Sequence, residues 1–319
     1  MSVNAEAEDW KVYLHDTLIM GAPARISCVN LHGQRYALSR GGVSMLRLED
    51  EWYEDVCDPL KLVGELKKNR KIKPDLFTFW QRLPKVAPEY SFHCEYEDIA
   101  ALPITTHAAW FSGQIKSRVR NLIRKSEKEG VEVRESVYDD DFVHGMTRIF
   151  NEAPIRQGRK FWHYGKDFET IKMQFSRFVK RERMIAAYYR GEMIGLIMLG
   201  DAGSFAITGQ IISSLHHRDK ATNNLLVSKA VQVCEEQGFR HLCYLNWSED
   251  SLSEFKRRCG FEKIGMPRYY VPLTAKGKIW LRLGLHRGLK SLLPSNVRNA
   301  LKAARTRWLE MKGRSQAGE

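Results

Sequence analysis

No run of apolar residues in this 319-residue sequence approaches the roughly 20 needed to cross a bilayer. The opening stretch, MSVNAEAEDWKVYLHD, lacks the charged-then-apolar order of a secretory signal, so no signal peptide is expected. The cysteines Cys28, Cys57, Cys94, Cys234, Cys243 and Cys259 include no C-x-x-C pair, and no histidine cluster has zinc-ligand spacing. No metal is therefore expected. Cys234 falls on the apolar side of a helical pattern and Cys243 in an apolar strand pattern, so both read as buried free thiols. Free thiols point to a reducing compartment, most simply the cytoplasm. No recognised nucleic-acid module is present. Global disorder is excluded by a hydrophobic content of 43%, enough to fill a core.

What the chain does have is positive charge, unevenly placed. The net charge is +13, and the segment from Lys276 onward carries eleven basic residues against Glu310 and Glu319. Basicity is thus mainly a property of the C-terminal segment. There KGKIWLRLGLHRGLKSLL (276–293) interleaves cations with Ile279, Trp280, Leu283, Leu289, Leu292 and Leu293. After Pro294, a second amphipathic helix is expected, capped by Ser295. Such helices lie on anionic lipid or dock on their own protein, and nucleic acid is a third option for so basic a segment.

Before that segment the pattern alternates strands and helices. Residues 10–20 suit a strand pair, and 24–49 add two β-rich runs with turns at His32-Gly33 and Gly41-Gly42. Asp58 and Pro59 open a helix over 58–70. The run 72–83 is β-rich, and Pro84, Pro88 and Pro103 read as turn markers. Ser112 is expected to cap a helix over 112–129, whose stripe is Ile115, Val119, Leu122 and Ile123. A strand at 131–136 and a helix over 139–150 follow, the latter with acidic residues at its positive end. The stretch 151–167 is rich in cations, aromatics and turn formers, as substrate-contacting loops often are. A solvated connector is the plainer alternative. A helix over 168–182 precedes three strands joined by turns at Gly191 and Gly203, a helix from about Asn223, an apolar strand HLCYLNW, a helix opened by a Ser251/Glu254 capping box, and a last strand after Gly260-Phe261.

Three segments in this order, RNLIRKSEKEGVEV (120–133), NNLLVSKAVQVCEEQGFRHL (223–242) and FKRRCGF (255–261), resemble the GNAT acyltransferase fold, and more specifically its FemAB-like branch. The likeness covers 112–271, and 10–111 by lobe count. It implies an α/β protein with two GNAT-like lobes, each a mixed and mostly antiparallel sheet flanked by helices. The first lobe would be residues 1–111, degenerate, and the second 112–275, complete, with the basic helical tail at 276–319.

The resemblance also implies a site. The backbone of Ile211, Ile212 and Ser213 and the turn Arg218, Lys220, Ala221, Thr222, Asn223 and Asn224 would bind the donor, an acyl-CoA, through phosphate held at a helix N-terminus. Ala221 and Asn223 stand where the fold's signature has glycines, which leaves acyl carrier protein and aminoacyl-tRNA as alternative donors. Lys256 stands where many GNAT enzymes place a tyrosine and FemAB-like relatives a lysine, and is the first candidate for stabilising negative charge at the reacting carbonyl. Glu152 and His163 are the candidate bases for a small-molecule amine acceptor. Arg156, Arg159, Trp162, Tyr164, Tyr244 and Asn246 are candidate acceptor contacts. The expected function is N-acyl transfer to an amine on a sugar, amino acid or cell-envelope precursor, in the cytoplasm, with peripheral membrane contact through 276–314 as a further option. A non-catalytic protein that binds membrane or nucleic acid through its tail is the reading from another class.

Overall fold

The computed structural model describes residues 10–19, 22–247 and 251–288. The first half runs β1 (Tyr13–Ile19), β2 (Ala22–Leu31), β3 (Gln34–Ser39), β4 (Met45–Leu48), α1 (Pro59–Lys68), β5 (Leu76–Trp80), β6 (His93–Pro103) and a single turn, α2 (His107–Ala109). The second runs α3 (Ser117–Lys128), β7 (Val131–Ser136), α4 (Asp140–Phe150), the small hairpin β8 (Ile155–Arg156) and β9 (Arg159–Lys160), and α5 (Phe168–Phe175). It continues with β10 (Glu182–Tyr189), β11 (Glu192–Asp201), β12 (Ala206–Ser213), α6 (Thr222–Glu236), β13 (His241–Asn246), α7 (Ser251–Arg258), β14 (Glu262–Pro272) and α8 (Ala275–Arg282).

Local chemistry accounts for several ends. Asp58 and Asp139 each accept a backbone N–H from the first turn of their helices, as expected of acidic caps. Ser112 does not cap a helix. Its hydroxyl donates to Ala108 O from within a π-helical turn over Trp110–Gln114, and α3 begins only at Ser117. The helix expected over 168–182 ends at Phe175, giving way to a 3₁₀ turn at Val179–Arg181. The expected second tail helix lies outside the described residues.

All strands except β8 and β9 join one sheet, in the order β1-β2-β3-β4-β5-β14-β6-β13-β12-β11-β10-β7. The prolines around residues 84–103 read as turn markers, yet β6 occupies the sheet centre, antiparallel to both β13 and β14. Its period-2 pattern was obscured because residues 99–102 are buried on both faces. The chain's halves therefore share one sheet: β14 enters between β5 and β6, and β6 between β13 and β14. Side chains reinforce the join. Arg177 pairs with Glu49 and Asp50, Arg181 with Glu54, and the buried Arg82 donates to Ala202 O at 2.6 Å.

In the second half both sheet faces are covered, so β11 is buried from Met193 to Gly200. Ile194, Ile197 and Leu199 pack with Leu226, Ala230 and Val231 of α6 and Val119 and Ile123 of α3. Leu196 and Met198 pack on the opposite face with Phe142, Met146 and Phe150 of α4. Each such aliphatic side chain contributes about 1.5–3 kcal/mol on burial, so this sandwich is a rigid base for what lies at its edge.

The first part of the basic segment packs on the first half. Gly277 of α8 sits where a Cβ would lie 2.0 Å from Asp75 O, and the Trp280 ring covers Gly42. Beyond α8, His286 and Arg287 close onto Glu95 of β6 at 2.7 and 2.9 Å. His93 joins them, and the three ligand-type residues His93, Glu95 and His286 converge within 4.8 Å although His286 is far from the other two in sequence. Arg287 already holds both oxygens of the Glu95 carboxylate, so the grouping acts as an ion-paired anchor for the segment.

Candidate functional site

The sheet parts in one place. β12 and β13 run parallel but pair only at Ala206–Leu242 and Ile207–Cys243. Just beyond, β12 gains an extra residue, because Leu199 faces Thr208 while Met198 faces Gln210. The extra residue is Gly209, where a Cβ would meet Glu182 Oε1 at 2.6 Å. Such a bulge bends its strand and raises its twist, which carries β12 away from β13. Past the bulge, Ser214 gives its N–H to Ile194 O of β11. By strand alternation the N–H groups of Ile211 and Ser213 point the other way, into the opening.

The first turn of α6 stands beside this opening. Gly195 lets it approach, since a Cβ there would lie 2.7 Å from Thr222 Cγ2 and 3.2 Å from Ile212 O. The helix has no side-chain cap, and although Asn224 N–H bonds Ala221 O, the N–H groups of Thr222 and Asn223 and the positive end of the dipole remain available to an anion. Ala221 precedes the helix at φ +53°, in left-handed backbone. The glycine shape of the signature is thus kept by an alanine. Arg218 is exposed and has no ion-pair partner among the described residues. Lys220 is differently placed: its Nζ lies 3.1 Å from Glu129 and 3.2 Å from Asp219, over the Tyr189 ring. Thr222 and Asn223 each bury a side-chain oxygen with no hydrogen-bond partner. Asn224 lies 3.9 Å from Cys259 Sγ, which brings the end of α7 against the α6 turn.

Glu152 and Arg156 meet at the far end of β12. Arg156 donates to Ser213 O at 2.9 Å, to Ile149 O at the end of α4, and to Glu152 Oε2 at 3.1 Å. The same Glu152 oxygen accepts Leu215 N–H. The two charges are nearly enclosed, with side-chain exposures of 10% and 7%. They fasten the 151–167 loop to the mouth of the opening. Burial lowers the pKa of Arg156, and the Glu152 carboxylate opposes that shift.

The rest of that loop divides. His163 stacks on Phe150 with 4.8 Å between centroids and accepts from Gln174, its Nδ1 3.1 Å from Gln174 Nε2. Burial brings its pKa down to about 4, so the ring is neutral and weakly basic near pH 7. Trp162 and Tyr164 are instead 54% and 45% exposed, and Arg159 lies exposed on β9. They offer aromatic and cationic surface on the loop that Glu152 and Arg156 fasten.

Lys256 does not point into solvent. It is 1% exposed, and its Nζ donates to Tyr244 O and Asn246 O at 2.8 Å each while lying 4.4 Å from the Tyr244 ring centroid. The ammonium thus holds the diverging end of β13. Tyr244 is half-buried with its pKa raised by desolvation, and its ring meets Phe261 edge-on. Asn246 is exposed at the strand end.

Sequence patterning missed Gly195 and Gly209, whose role is to lack a Cβ at two close approaches. It also missed a cleft of about 500 Å³ along α3, lined by Asn121, Arg124, Lys125, Lys128 and Glu129. Lys125 reaches from there to Asp219 O, so the cleft adjoins the Arg218–Asn224 turn.

No family model matches the sequence, and no curated protein matches it. Solved structures do. The crystal structure of FemX is 11% identical, with 85% of this chain and 90% of that one covered and a TM-score of 0.59. The C-terminal domain of a putative lysylphosphatidylglycerol synthetase from Agrobacterium fabrum is 11% identical, with coverages of 83% and 89% and a TM-score of 0.52. A conserved protein of unknown function from Bacteroides thetaiotaomicron is 10% identical, with coverages of 78% and 86% and a TM-score of 0.50. At such identities the likeness is one of fold, and the chain has the FemAB-like fold, with GNAT-like lobes built on a shared mixed sheet.

Proposed function

We propose that this protein is an N-acyltransferase that moves an acyl or aminoacyl group onto an amine of a sugar, amino acid or cell-envelope precursor. The observation that carries the reading is the parting of β12 from β13 after two paired residues, beside the uncapped start of α6. With acyl-CoA as donor, the pyrophosphate lies against the α6 N–H groups and Arg218. The donor carbonyl reaches the N–H groups of Ile211 and Ser213, which donate hydrogen bonds to its oxygen as negative charge develops there. The acceptor enters past Trp162, Tyr164 and Arg159. Its nitrogen lone pair attacks the carbonyl carbon, the carbon–sulfur bond breaks, and the nitrogen's surplus proton leaves to water. Glu152, Arg156 and Lys256 are positioning residues: they hold the ends of β12 and β13 apart at the spacing the donor needs. His163 packs the loop.

One observation favours a different donor for the same step. The cationic cleft along α3 continues away from the α6 turn, which suits a longer polyanion such as aminoacyl-tRNA. The ester carbon–oxygen bond then breaks in place of the thioester, and the departing ribose oxygen takes up, through water, the proton that the amine releases. The name of the Agrobacterium protein, a lysylphosphatidylglycerol synthetase, points to aminoacyl chemistry on this fold.

A thermal-shift panel with acetyl-CoA, longer acyl-CoAs, acyl carrier protein and aminoacyl-tRNA separates these donors. A donor at a hundred times its Kd should stabilise the protein by about 2.7 kcal/mol. Arg218→Glu should weaken that response for either phosphate-bearing donor. A panel with no response to any donor would sink the acyltransferase reading.

A further inference from the structure

Outside the C-terminal segment the cations are also clustered. Residues 67–73, KKNRKIK, hold five cations and no carboxylate. The fold brings this run to the root of the basic segment. Arg40, Ser44, Lys71, Lys73, Asp75 and Lys276 line a cleft of about 320 Å³ between the β3–β4 loop, the segment entering β5, and α8. Its frame is tight, because Gly277 abuts Asp75 O and Trp280 covers Gly42. Asp75, the one carboxylate, is already engaged by Ser44 N and Oγ at 2.9 Å and by Thr274 Oγ1 at 2.7 Å. Lys276 lies 3.8 Å from it. Arg40, Lys71 and Lys73 are exposed and have no ion-pair partner among the described residues.

An apolar edge leads out of this cleft. Lys276, Ile279 and Leu283 follow one another at i, i+3 and i+7, so they share one side of α8. Ile279 is 56% and Leu283 59% exposed, with exposed Lys278 and Arg282 beside them. Unpaired cations in line with protruding aliphatic side chains match a surface that offers phosphate above hydrocarbon. Nucleic acid offers phosphate without hydrocarbon, and has no use for Ile279 or Leu283.

We propose that this face docks the protein on an anionic phospholipid surface, with lipid phosphate in the Arg40/Lys71/Lys73/Lys276 cleft and Ile279 and Leu283 among the headgroups. The docking does not depend on the acyltransferase reading, and its test needs no turnover.

The test is flotation of the full chain with vesicles of phosphatidylcholine alone and vesicles that also contain phosphatidylglycerol, at low and high salt. Binding should require phosphatidylglycerol and weaken with salt. A cation near such a surface strengthens partitioning about fivefold, so Lys71→Gln with Lys73→Gln should weaken it about 25-fold. Ile279→Ser with Leu283→Ser should weaken binding even at low salt, and circular dichroism should show both variants folded. If both variants float like the parent, binding belongs to residues beyond 288 and the proposal fails. Inorganic phosphate that protects the cleft from lysine modification, without any flotation, would overturn the lipid reading. So would tighter binding to tRNA than to anionic vesicles, unaffected by the Ile279/Leu283 substitutions.

Discussion

Lys256→Met tests how the opening is held. The substitution keeps the unbranched apolar stem of the side chain and removes the ammonium. Two charge-assisted hydrogen bonds, to Tyr244 O and Asn246 O, disappear, at about 1.5–3 kcal/mol each. The contact with the Tyr244 ring at 4.4 Å goes too, a loss of about 2 kcal/mol for a desolvated cation. Against this stands the refund of several kcal/mol from no longer burying a charge. The net loss is about 3 kcal/mol, which for a chain of this size lowers Tm by roughly 6 °C. With the end of β13 released, donor affinity should fall together with turnover. The measurements are a urea titration, a thermal melt and a donor-binding isotherm on the same preparation. If Lys256→Met melts with the parent, binds donor equally and yet loses turnover, the lysine acts on the reacting atoms and the positioning argument is wrong.

Other substitutions probe the same frame. Ala221→Gly removes a Cβ from left-handed backbone at φ +53°, which relieves about 1–2 kcal/mol. Part of that is offset by greater freedom of the unfolded chain, leaving a gain of about 0.5–1 kcal/mol readable in urea. The same change should tighten binding of a phosphate-bearing donor. Gly277→Ala places a methyl 2.0 Å from Asp75 O, so α8 must shift at a cost of about 1–3 kcal/mol. Trypsin should then cleave after Lys276 or Lys278 faster than in the parent. His163 has its pKa brought down to about 4, below the unfolded value, so the unfolded chain takes up the proton first. Its contribution to stability is therefore complete above pH 6.5 and lost as the pH falls towards 4. His163→Phe should flatten the pH dependence of the urea midpoint in that window, and an unchanged slope would place the titration elsewhere.

Some of this architecture is written locally. Asp58 and Asp139 name their helix starts because a cap acts through bonds three residues away. The helical stripe of Val119 and Ile123 and the apolar run of β11 name their buried faces for the same reason. The order of elements from 131 to 272 was therefore legible, and with it the likeness to the FemAB-like fold. Ala221 was legible as a departure from glycine, though its left-handed backbone was not.

Contacts between distant parts of the chain decided the rest. β6 looked like a loop because its prolines were visible and its partners, β13 and β14, lie far along the sequence. Gly195 and Gly209 carry no side-chain signal; their meaning is the room they leave for Thr222 and Glu182. Lys256 reads in sequence as the group that stabilises charge at the reacting carbonyl, and only the closing of α7 onto β13 puts its ammonium among backbone carbonyls. Glu152 and Arg156 sit four residues apart, but what they fasten, Ser213 and Leu215, is some sixty residues further on. Lys71, Lys73 and Lys276 belong to one cleft for a similar reason: α8 packs on the segment that enters β5. Sequence determined which pieces form and which sides they bury. Tertiary structure decided which pieces meet, because a contact's energy depends on distance in space, and the chain brings far residues together only when the whole sheet closes.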